Sequence, residues 1–424
     1  MTSQIEAQQL LRQGRIAEAA RMFESILAAQ PHDQNAINGL ALIALNNRDA
    51  NRALSLLRRV SDSPAATPVT HHQLGMAQQM AGDLPAATQS LTRAVSAAAD
   101  FHLARLHLGQ VLEQAGATMP AAVQYARSLQ DAQKSGRWLN AETTPPALRD
   151  EVSHAASFVR QHHRRAMSEL LSPLAEKYGA ASLQRVGECL SIYLNEKPPA
   201  FTDSRQQPMF LYFPGLPTSA YFERSLFPWM QDLESQTDRI AAELHAVLRS
   251  SSGSERVFTS EELENANLRG LDVPPTWNGY YFYRHGERRD DNCTACPITA
   301  AALEALPLGR IREHGPEVLF SVFTAGTHLL PHRGVTNIRS VAHLPLIIPR
   351  DCALQVGGEI HEWKRGEVVV FDDTFEHEAW NRSDQVRVVL IFDVWNPHLT
   401  DVEREAMREL VAAIGDFRHA VEGA

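Results

Sequence analysis

Residues 326–337 read GTHLLPHRGVTN, and the region around them decides the fold of the second half of the chain. From Gln207 onward, short runs of β-branched and aromatic residues alternate with turn residues, which is typical of an antiparallel sandwich or barrel. Gly357-Gly358 and Lys364-Arg365-Gly366 are hairpin or turn signals between such runs. The pattern therefore predicts a β-domain built from many short strands.

Two histidines, His332 and His377, lie in different predicted strands of this domain. Neutral imidazole suits Fe(II), and many non-haem iron sites add one carboxylate to two histidines. The usual place for that carboxylate is two residues after the first histidine, which here is Gly334. We therefore predict an iron site with two protein ligands. The alternatives are ordinary core or surface histidines and a simple turn glycine.

One arginine, Arg387, stands within the apolar run of residues 386–392. A buried guanidinium requires an anionic partner, and a carboxylate is the partner that fits it in bidentate geometry. A bound dicarboxylate would provide that partner. A core acid such as Asp372 or Asp393 is the alternative, in which case Arg387 is structural.

Longer segments extend the pattern, and they occur in order: FPGL at 213–216, NCTACP at 292–297, HLPL at 343–346, FDDTFEHEAWN at 371–381 and DVWNP at 393–397. With residues 326–337 they resemble the aspartyl/asparaginyl β-hydroxylase family along roughly residues 205–400. The resemblance implies a double-stranded β-helix, the jelly-roll of the cupins. It also implies a dioxygenase that uses Fe(II), 2-oxoglutarate and O2 to hydroxylate an unactivated carbon. The expected target is the β-carbon of Asp or Asn in a peptide or protein.

The resemblance also implies roles for individual side chains. Ser321 matches a serine that helps Arg387 to hold the distal carboxylate of 2-oxoglutarate, and His343 matches a histidine near the other end of that molecule. Trp277 matches a tryptophan near the substrate cleft. The structural alternatives are a strand serine bonded to the backbone for Ser321 and a core aromatic for Trp277.

In one place the chain departs from the family pattern. The type member of the family has an arginine where this chain has Val341, so one positive charge is missing from the expected pocket. Arg339, Val341 and His343 share one face of a predicted strand, because strand side chains alternate. We expect Arg339 to cover part of the missing role, by holding the co-substrate or an acidic group of the substrate. Gly334 is expected to leave coordination space in the same pocket.

The first 135 residues repeat with a period of 34. Small and large residues recur at the same positions of each repeat. Gly14, Gly82 and Gly116 occupy one such position, and in the second repeat Arg48 takes the place of the glycine. The large residues follow alanines by four positions; they are Phe23, Leu57, Leu91 and Tyr125. The pattern resembles tetratricopeptide repeats, in which stacked helix pairs form a solenoid with a concave binding surface. We expect this surface to capture a peptide or protein substrate.

The predicted architecture is therefore multidomain α + β. An α-helical repeat solenoid occupies residues 1–135, and a linker with a helical bridge occupies residues 136–204. The jelly-roll catalytic domain follows at 205–400, and a closing helix occupies residues 401–424.

Composition bounds the remaining expectations. The net charge of −10 with mixed signs predicts no nucleic-acid partner. No apolar run approaches the roughly 20 residues of a membrane span. The first residues lack the basic and apolar regions of a signal peptide, so we expect a cytoplasmic protein. Cys293 and Cys296 are expected to be reduced thiols, since a single Cys-x-x-Cys pair without a second pair is weak support for a zinc or redox site.

Other functions stay open at this stage. The substrate could be a lipid acyl chain or a small metabolite instead of a peptide. A halogenase would use the space beside Gly334 for chloride. A repeat scaffold with an inactive jelly-roll is the alternative from outside enzymology, and the presence of both histidines and Arg387 argues against it.

Overall fold

The computed structural model describes residues 2–64, 66–250, 255–256 and 277–424. Residues 257–276, which belong to the predicted β-domain, lie outside this description. The chain forms two compact units. One comprises residues 1–165 together with 417–424, and the other comprises residues 166–416.

Helices build the first unit. In chain order they are α1 (Thr2–Arg12), α2 (Ile16–Ala29), α3 (Gln34–Asn46), α4 (Ala50–Leu57), α5 (Pro68–Met80), α6 (Leu84–Ala97), α7 (His102–Gln114), α8 (Thr118–Lys134) and the first part of α9 (Arg149–Tyr178). Several helices begin at a side chain that accepts a backbone N–H three residues later, which satisfies a donor that the helix itself leaves unpaired. These caps are Asp33, Asp49, Thr67 and Asp83.

Small residues let the two helices of each pair approach closely. A Cβ added at Gly75 would lie 2.5 Å from Cγ of Leu91, and one added at Gly109 would lie 2.5 Å from Cδ1 of Tyr125. Leu91 and Tyr125 are fully buried. The in-phase small and large residues are thus the contacts between paired helices, and the helical repeat architecture predicted for this region is confirmed.

The turn inside each repeat places one residue in the left-handed backbone region. Gly14, Gly82 and Gly116 have φ values of 76°, 81° and 77°, and Arg48 has 58°. Glycine adopts this conformation without steric cost, whereas a residue with a Cβ is strained there. Arg48 therefore keeps the fold of its repeat at an energetic disadvantage.

The second unit contains both helices and strands. Its helices are the end of α9, α10 (Gln184–Tyr193), α11 (Met230–Glu234), α12 (Thr237–Ser250), α13 (Asp290–Ala295), α14 (Pro297–Glu304) and most of α15 (Asp401–Glu422). Its strands are β1 (Glu255–Arg256), β2 (Trp277–Arg284), β3 (Glu287–Arg288), β4 (Val318–Phe323), β5 (His328–His332), β6 (Arg339–Ile347), β7 (Cys352–Val356), β8 (Glu359–Glu362), β9 (Val369–Phe371), β10 (His377–Asn381) and β11 (Arg387–Trp395). Short 3₁₀ turns occur at Pro146–Leu148, Ala180–Leu183 and Arg224–Leu226.

The strands form two antiparallel sheets. The larger has the order β1-β2-β4-β11-β6-β9 with β3 beside β2, and the smaller has the order β5-β10-β7-β8. From β4 to β11 the chain passes repeatedly between the sheets, so that strands distant in sequence become neighbours. This is the arrangement of a jelly-roll, and the predicted fold class is confirmed.

Strand alternation divides the larger sheet into two faces. Val389 belongs to the core between the sheets, whereas Leu390 belongs to the core on the opposite face. The space between the sheets is filled mainly by aromatic and aliphatic residues: Phe323, Leu329, Leu354, Val356, Phe371, Phe375, Ala379 and Val389. Side chains in phase with Val389 on β11 therefore point into this space, and Arg387 is one of them.

The segment predicted as a linker and helical bridge contributes helices to both units. Met167 and Leu171 of α9, with Val186 and Leu190 of α10, share a core with Phe213 and other residues of the second unit. The boundary between the units falls at 165/166, inside α9. Part of the bridge is thus an integral piece of the unit that holds the β-sheets.

Two expectations from composition concern the whole chain. No helix among the described residues is long and apolar enough to span a bilayer. The four cysteines are buried and unpaired, and burial raises the pKa of the Cys296 thiol to about 11. Protonated, buried thiols are poor nucleophiles and poor metal ligands.

The left-handed turn residues generate a stability prediction. Arg48→Gly should raise the free energy of unfolding by roughly 0.5–1 kcal/mol, and Gly82→Ala should lower it by about 1 kcal/mol, because only the former removes strain. Denaturant unfolding followed by circular dichroism measures both. Gly187→Ala is the control, since an added Cβ there meets no atom within 4 Å and the helix interior favours alanine. Equal stability of the Gly82 variant and the parent would contradict the strain argument.

Candidate metal and co-substrate site

His332 and His377 meet across one strand pair. His332 ends β5, His377 begins β10, and the antiparallel register places the two residues directly opposite each other. Their ring centroids lie 4.1 Å apart with an interplanar angle of 50°. Two imidazoles are therefore held side by side by backbone pairing between segments 45 positions apart in the sequence.

Backbone contacts fix the protonation of both rings. Nδ1 of His332 lies 2.8 Å from the carbonyl oxygen of Leu330, and Nδ1 of His377 lies 3.0 Å from that of Phe375. Because a carbonyl only accepts hydrogen bonds, each Nδ1 carries the proton and each Nε2 keeps a lone pair. Such contacts orient histidine ligands in metal sites.

Electrostatics keep the same rings uncharged. Burial lowers the pKa of His332, and burial together with the neighbouring His332 lowers the pKa of His377 to about 3. Neutral imidazole is the form that binds metal ions. The pair is thus ready to donate two nitrogen ligands at neutral pH.

A carboxylate lies where the missing side chain of residue 334 would be. The backbone N–H of Gly334 donates to the carbonyl oxygen of Asp373 at 2.6 Å. A Cβ added at Gly334 would overlap the carboxylate of Asp373. Burial raises the pKa of the Asp373 carboxyl well above its usual range, and the nearby carboxyls of Asp372 and Asp393 add a smaller effect in the same direction. Asp373 therefore belongs to the surroundings of the histidine pair.

Asp373 is not among the site residues that the sequence predicts. Its neighbour Asp372 caps the turn before β10, by accepting the backbone N–H of Thr374 at 3.0 Å. No sequence pattern indicates the contact of Asp373 with Gly334, because the two residues are far apart in the sequence and meet only through the β5–β10 pairing.

Arg387 is almost completely buried between the sheets, with 1% of its surface exposed. Its Nη1 donates to the carbonyl oxygen and to Oγ of Ser321, both at 3.3 Å. Aromatic rings lie against the guanidinium: Cζ is 3.6 Å from the ring centroid of Phe323 and 4.9 Å from that of Trp363. Burial lowers the pKa of Arg387 to about 9, which leaves it charged at neutral pH.

Neither of the core acids considered as partners neutralises Arg387. Asp393 pairs with Arg339 at 2.7 Å, and Asp372 accepts hydrogen bonds from Thr374 and Gln206. Within the part of the chain that the structure describes, no carboxylate forms an ion pair with Arg387. The guanidinium is therefore a buried cation whose counter-ion must come from outside the described residues.

The hydroxyl of Ser321 is aligned by two donors. Trp277 donates from Nε1 to Oγ of Ser321 at 2.9 Å, and Arg387 donates to the same oxygen. Since a hydroxyl has two lone pairs and one proton, these contacts leave the proton for an acceptor. Ser321 and Arg387 thus form a small donor array. Trp277 also packs edge-on against Phe323, with ring centroids 5.5 Å apart.

His343 lies in the same space. Its ring packs edge-on against Phe371 at 5.0 Å, and burial lowers its pKa well below the ordinary value, with Arg387 and His377 adding to the effect. Its Nδ1 has no hydrogen-bond partner among the described residues. The structure therefore brings His343 together with both the histidine pair and the buried arginine.

Arg339 is held differently from Arg387. Its Nη1 donates to Oδ2 of Asp393 at 2.7 Å and to the carbonyl oxygen of His314 at 3.2 Å. Val341 packs against the core between the sheets. The charge of Arg339 is thus already balanced by a partner on the neighbouring strand, at a contact that its position in the sequence did not reveal.

One further residue was missed. Trp363 follows β8 and contacts Arg387, and its ring lies 5.7 Å from that of His343. Its Nε1 is buried without a hydrogen-bond partner. The only local signal is an aromatic residue just before the turn at Lys364-Arg365-Gly366, which does not distinguish a pocket residue from core.

Comparisons with known proteins give relatives for both units. The family profile described as Aspartyl/Asparaginyl beta-hydroxylase matches residues 234–397, and a tetratricopeptide repeat profile matches residues 10–68. The chain is 35% identical over 145 residues to the Homo sapiens protein named Aspartyl/asparaginyl beta-hydroxylase. The aligned segment covers 34% of this chain and 19% of that protein.

Two other relatives are matched over more of their length. The chain is 32% identical over 179 residues to the Ornithine lipid ester-linked acyl 2-hydroxylase of Rhizobium tropici, covering 42% of this chain and 60% of that protein. It is 30% identical over 270 residues to Aspartate beta-hydroxylase domain-containing protein 2 of Xenopus tropicalis, covering 61% of this chain and 70% of that protein. The match thus spans less than two thirds of the human and Rhizobium proteins and more than two thirds of the Xenopus protein.

The histidine pair generates a prediction about metal binding. His332→Ala and His377→Ala should each weaken Co(II) binding more than tenfold, since even loss of an outer contact costs about 10–100-fold in metal sites. Visible absorption of bound Co(II) measures the affinity. His328→Ala is the matched control, because His328 lies on the same strand and pairs with Glu378 at 2.7 Å. Undiminished Co(II) binding in both ligand variants would rule out this pair as the metal site.

Proposed function

Because the chain belongs to the aspartyl/asparaginyl beta-hydroxylase family, we propose that it is an Fe(II)- and 2-oxoglutarate-dependent dioxygenase that hydroxylates an unactivated carbon. The observation that carries the proposal is Arg387, a buried guanidinium without a carboxylate partner among the described residues. It lies between the same sheets as the neutral histidine pair. A metal that activates O2 and a dicarboxylate that is consumed with it account for both features.

The side chains suit Fe(II). His332 and His377 would hold it through Nε2, with Nδ1 of each fixed by a backbone carbonyl. Asp373 fills the space at Gly334 in which related sites attach a third ligand, so the two histidines would be the protein ligands. Iron held there would supply the O2 activation by which 2-oxoglutarate is oxidatively decarboxylated and the substrate hydroxylated.

The donor array suits the co-substrate. Arg387 binds the distal carboxylate, and the proton of Ser321 is available to the same group because Trp277 and Arg387 occupy the oxygen's lone pairs. His343, held neutral by burial, faces the region between this carboxylate and the histidine pair. The surrounding apolar rings exclude water, which strengthens each of these contacts.

The first candidate substrate is an Asp or Asn residue of a peptide or protein, captured by the repeats. Tetratricopeptide units commonly bind extended segments on their concave side. A cavity of about 620 Å³ in the helical unit is lined by Gln110, Glu113, Gln114, Tyr125, Asp150, Glu151 and His154. Its polar and acidic lining offers hydrogen bonds to a peptide backbone and to basic side chains.

The second candidate is an uncharged chain such as a lipid acyl group or a small metabolite. Two observations favour it. The charge of Arg339 is already balanced by Asp393, so the structure does not require an acidic substrate side chain beside it. In addition, exposed apolar side chains flank the Gly334 segment: Met209, Phe210, Leu330 and Val335. The name of the Rhizobium relative refers to an acyl substrate.

The central test follows oxygen and co-substrate together. With Fe(II), 2-oxoglutarate and isotopically labelled O2, peptide and lipid fractions should yield succinate and a product that gains one labelled oxygen. Arg387→Met should raise the 2-oxoglutarate concentration for half-maximal turnover at least about a hundredfold, because losing one partner of a buried charge pair costs roughly 3–5 kcal/mol. Succinate formation is the measurement.

Arg382→Met is the control for the loss of an arginine stacked on an aromatic ring. Arg382 lies 4.5 Å from the ring centroid of Trp380 and should leave the 2-oxoglutarate requirement unchanged. A chlorinated product in chloride buffer would show that the protein is a halogenase and not a hydroxylase. Absence of any succinate from the parent protein with Fe(II) would favour the scaffold alternative.

The role of the repeats has its own test. Asp150→Arg with Gln114→Arg should raise KM for an intact protein substrate more than tenfold and leave kcat unchanged, because losing contacts that hold the ground state and the transition state equally raises KM alone. Substitution is preferable to truncation near residue 207, which would remove Met167, Leu171, Val186 and Leu190 from the core of the second unit. An unchanged KM would assign the cavity to another partner.

A further inference from the structure

Three neighbouring residues in the space between the sheets each have a buried polar atom without a hydrogen-bond partner. Among the described residues these atoms are Nε of Arg387, Nδ1 of His343 and Nε1 of Trp363. The residues are 1%, 5% and 5% exposed. An unpaired buried polar group costs about 1–3 kcal/mol. The ring of Trp363 lies 4.9 Å from Cζ of Arg387 and 5.7 Å from the ring of His343, and three such neighbouring residues indicate a ligand that they share.

The donors define the chemistry of that ligand. Nε of Arg387 and Nε1 of Trp363 can only donate hydrogen bonds, and Arg387 is a cation. The ring of Phe323 lies 3.6 Å from Cζ of Arg387 and covers a face of the guanidinium. Access is left in the plane of the guanidinium, where a carboxylate binds best. The ligand is therefore an anion that presents at least two acceptor oxygens.

We propose that Trp363 is a binding residue for the co-substrate, and that its Nε1–H donates to the distal carboxylate held by Arg387. The proposal rests on the proposed function and adds a residue that neither the sequence motifs nor the resemblance assigned. Trp363 then acts in two ways. Its ring packs against the guanidinium at 4.9 Å, and its N–H supplies a donor in a space closed to water.

The experiment observes the indole N–H directly. The full chain has six tryptophans, so labelling tryptophan with ¹⁵N gives a small set of indole resonances, and Trp363→Phe identifies the one of interest. Addition of 2-oxoglutarate with Zn(II), a diamagnetic substitute for iron, should move the Trp363 indole proton downfield. The Trp380 resonance should stay in place, because Trp380 lies beside His328 and Arg382.

Affinity gives a second measurement. Trp363→Phe keeps an aromatic ring against Arg387 and removes only the donor, so calorimetry should show 2-oxoglutarate binding weakened about tenfold or more. Trp380→Phe is the matched control and should bind like the parent. Should Trp363→Phe fail to fold, Trp→Phe variants of the other five tryptophans assign the Trp363 resonance by elimination, and its shift in the parent protein still decides the question.

The outcomes separate this proposal from the proposed function. If the parent binds 2-oxoglutarate but the Trp363 resonance is unmoved and Trp363→Phe binds equally well, the assignment of Trp363 is wrong and the dioxygenase proposal stands. If the parent does not bind 2-oxoglutarate in the presence of Zn(II), both proposals fail together.

Discussion

The structure depends on one electrostatic constraint: a positive charge is buried between two β-sheets without an internal counter-ion among the described residues. Removing a guanidinium from water costs several kcal/mol, and ordinary proteins offset that cost with a paired carboxylate. Here the nearby acids are committed elsewhere, Asp393 to Arg339 and Asp372 to its own turn. The surrounding structure supplies only partial compensation to Arg387, through Ser321 and two aromatic rings. Among the described residues the guanidinium thus has no anionic partner, and a bound anion would recover the cost of its burial as binding affinity.

Strand geometry makes this concentration of chemistry possible. Side chains alternate along β4, β6 and β11, so that Ser321, His343 and Arg387 all enter the space between the sheets while their neighbours pack outward. Pairing of β5 with β10 adds the two histidines. A slip of one residue in either sheet would turn the functional side chains to the wrong face. The same hydrophobic pattern that secures the core therefore secures the positions of the polar groups.

The fold and part of the site were predictable from the sequence where short segments carry a recognisable pattern. The 34-residue period predicts the helix pairs, and the separate strand segments around His332 and His377 place both histidines in one β-domain. Contacts between residues far apart in the sequence were not predictable in this way. Asp373 reaches Gly334 across a strand pair, and Trp363 approaches Arg387 from the far end of the smaller sheet's hairpin. No spacing rule encodes such meetings, because the register and the direction of each side chain must be known first.

The packing of Asp373 against Gly334 restricts how this chain can change over time. A carboxylate introduced at position 334 would have to occupy the volume that Asp373 already fills. Two negative charges would also be crowded together where burial disfavours even one. Conversion to a site with three protein ligands therefore requires substitutions at both positions. A variant with only one of the two substitutions has either a steric clash at position 334 or a gap where Asp373 was. The two-histidine arrangement is in this sense locked in by a residue 39 positions away, and descendants of this sequence should exchange residues 334 and 373 together or keep both.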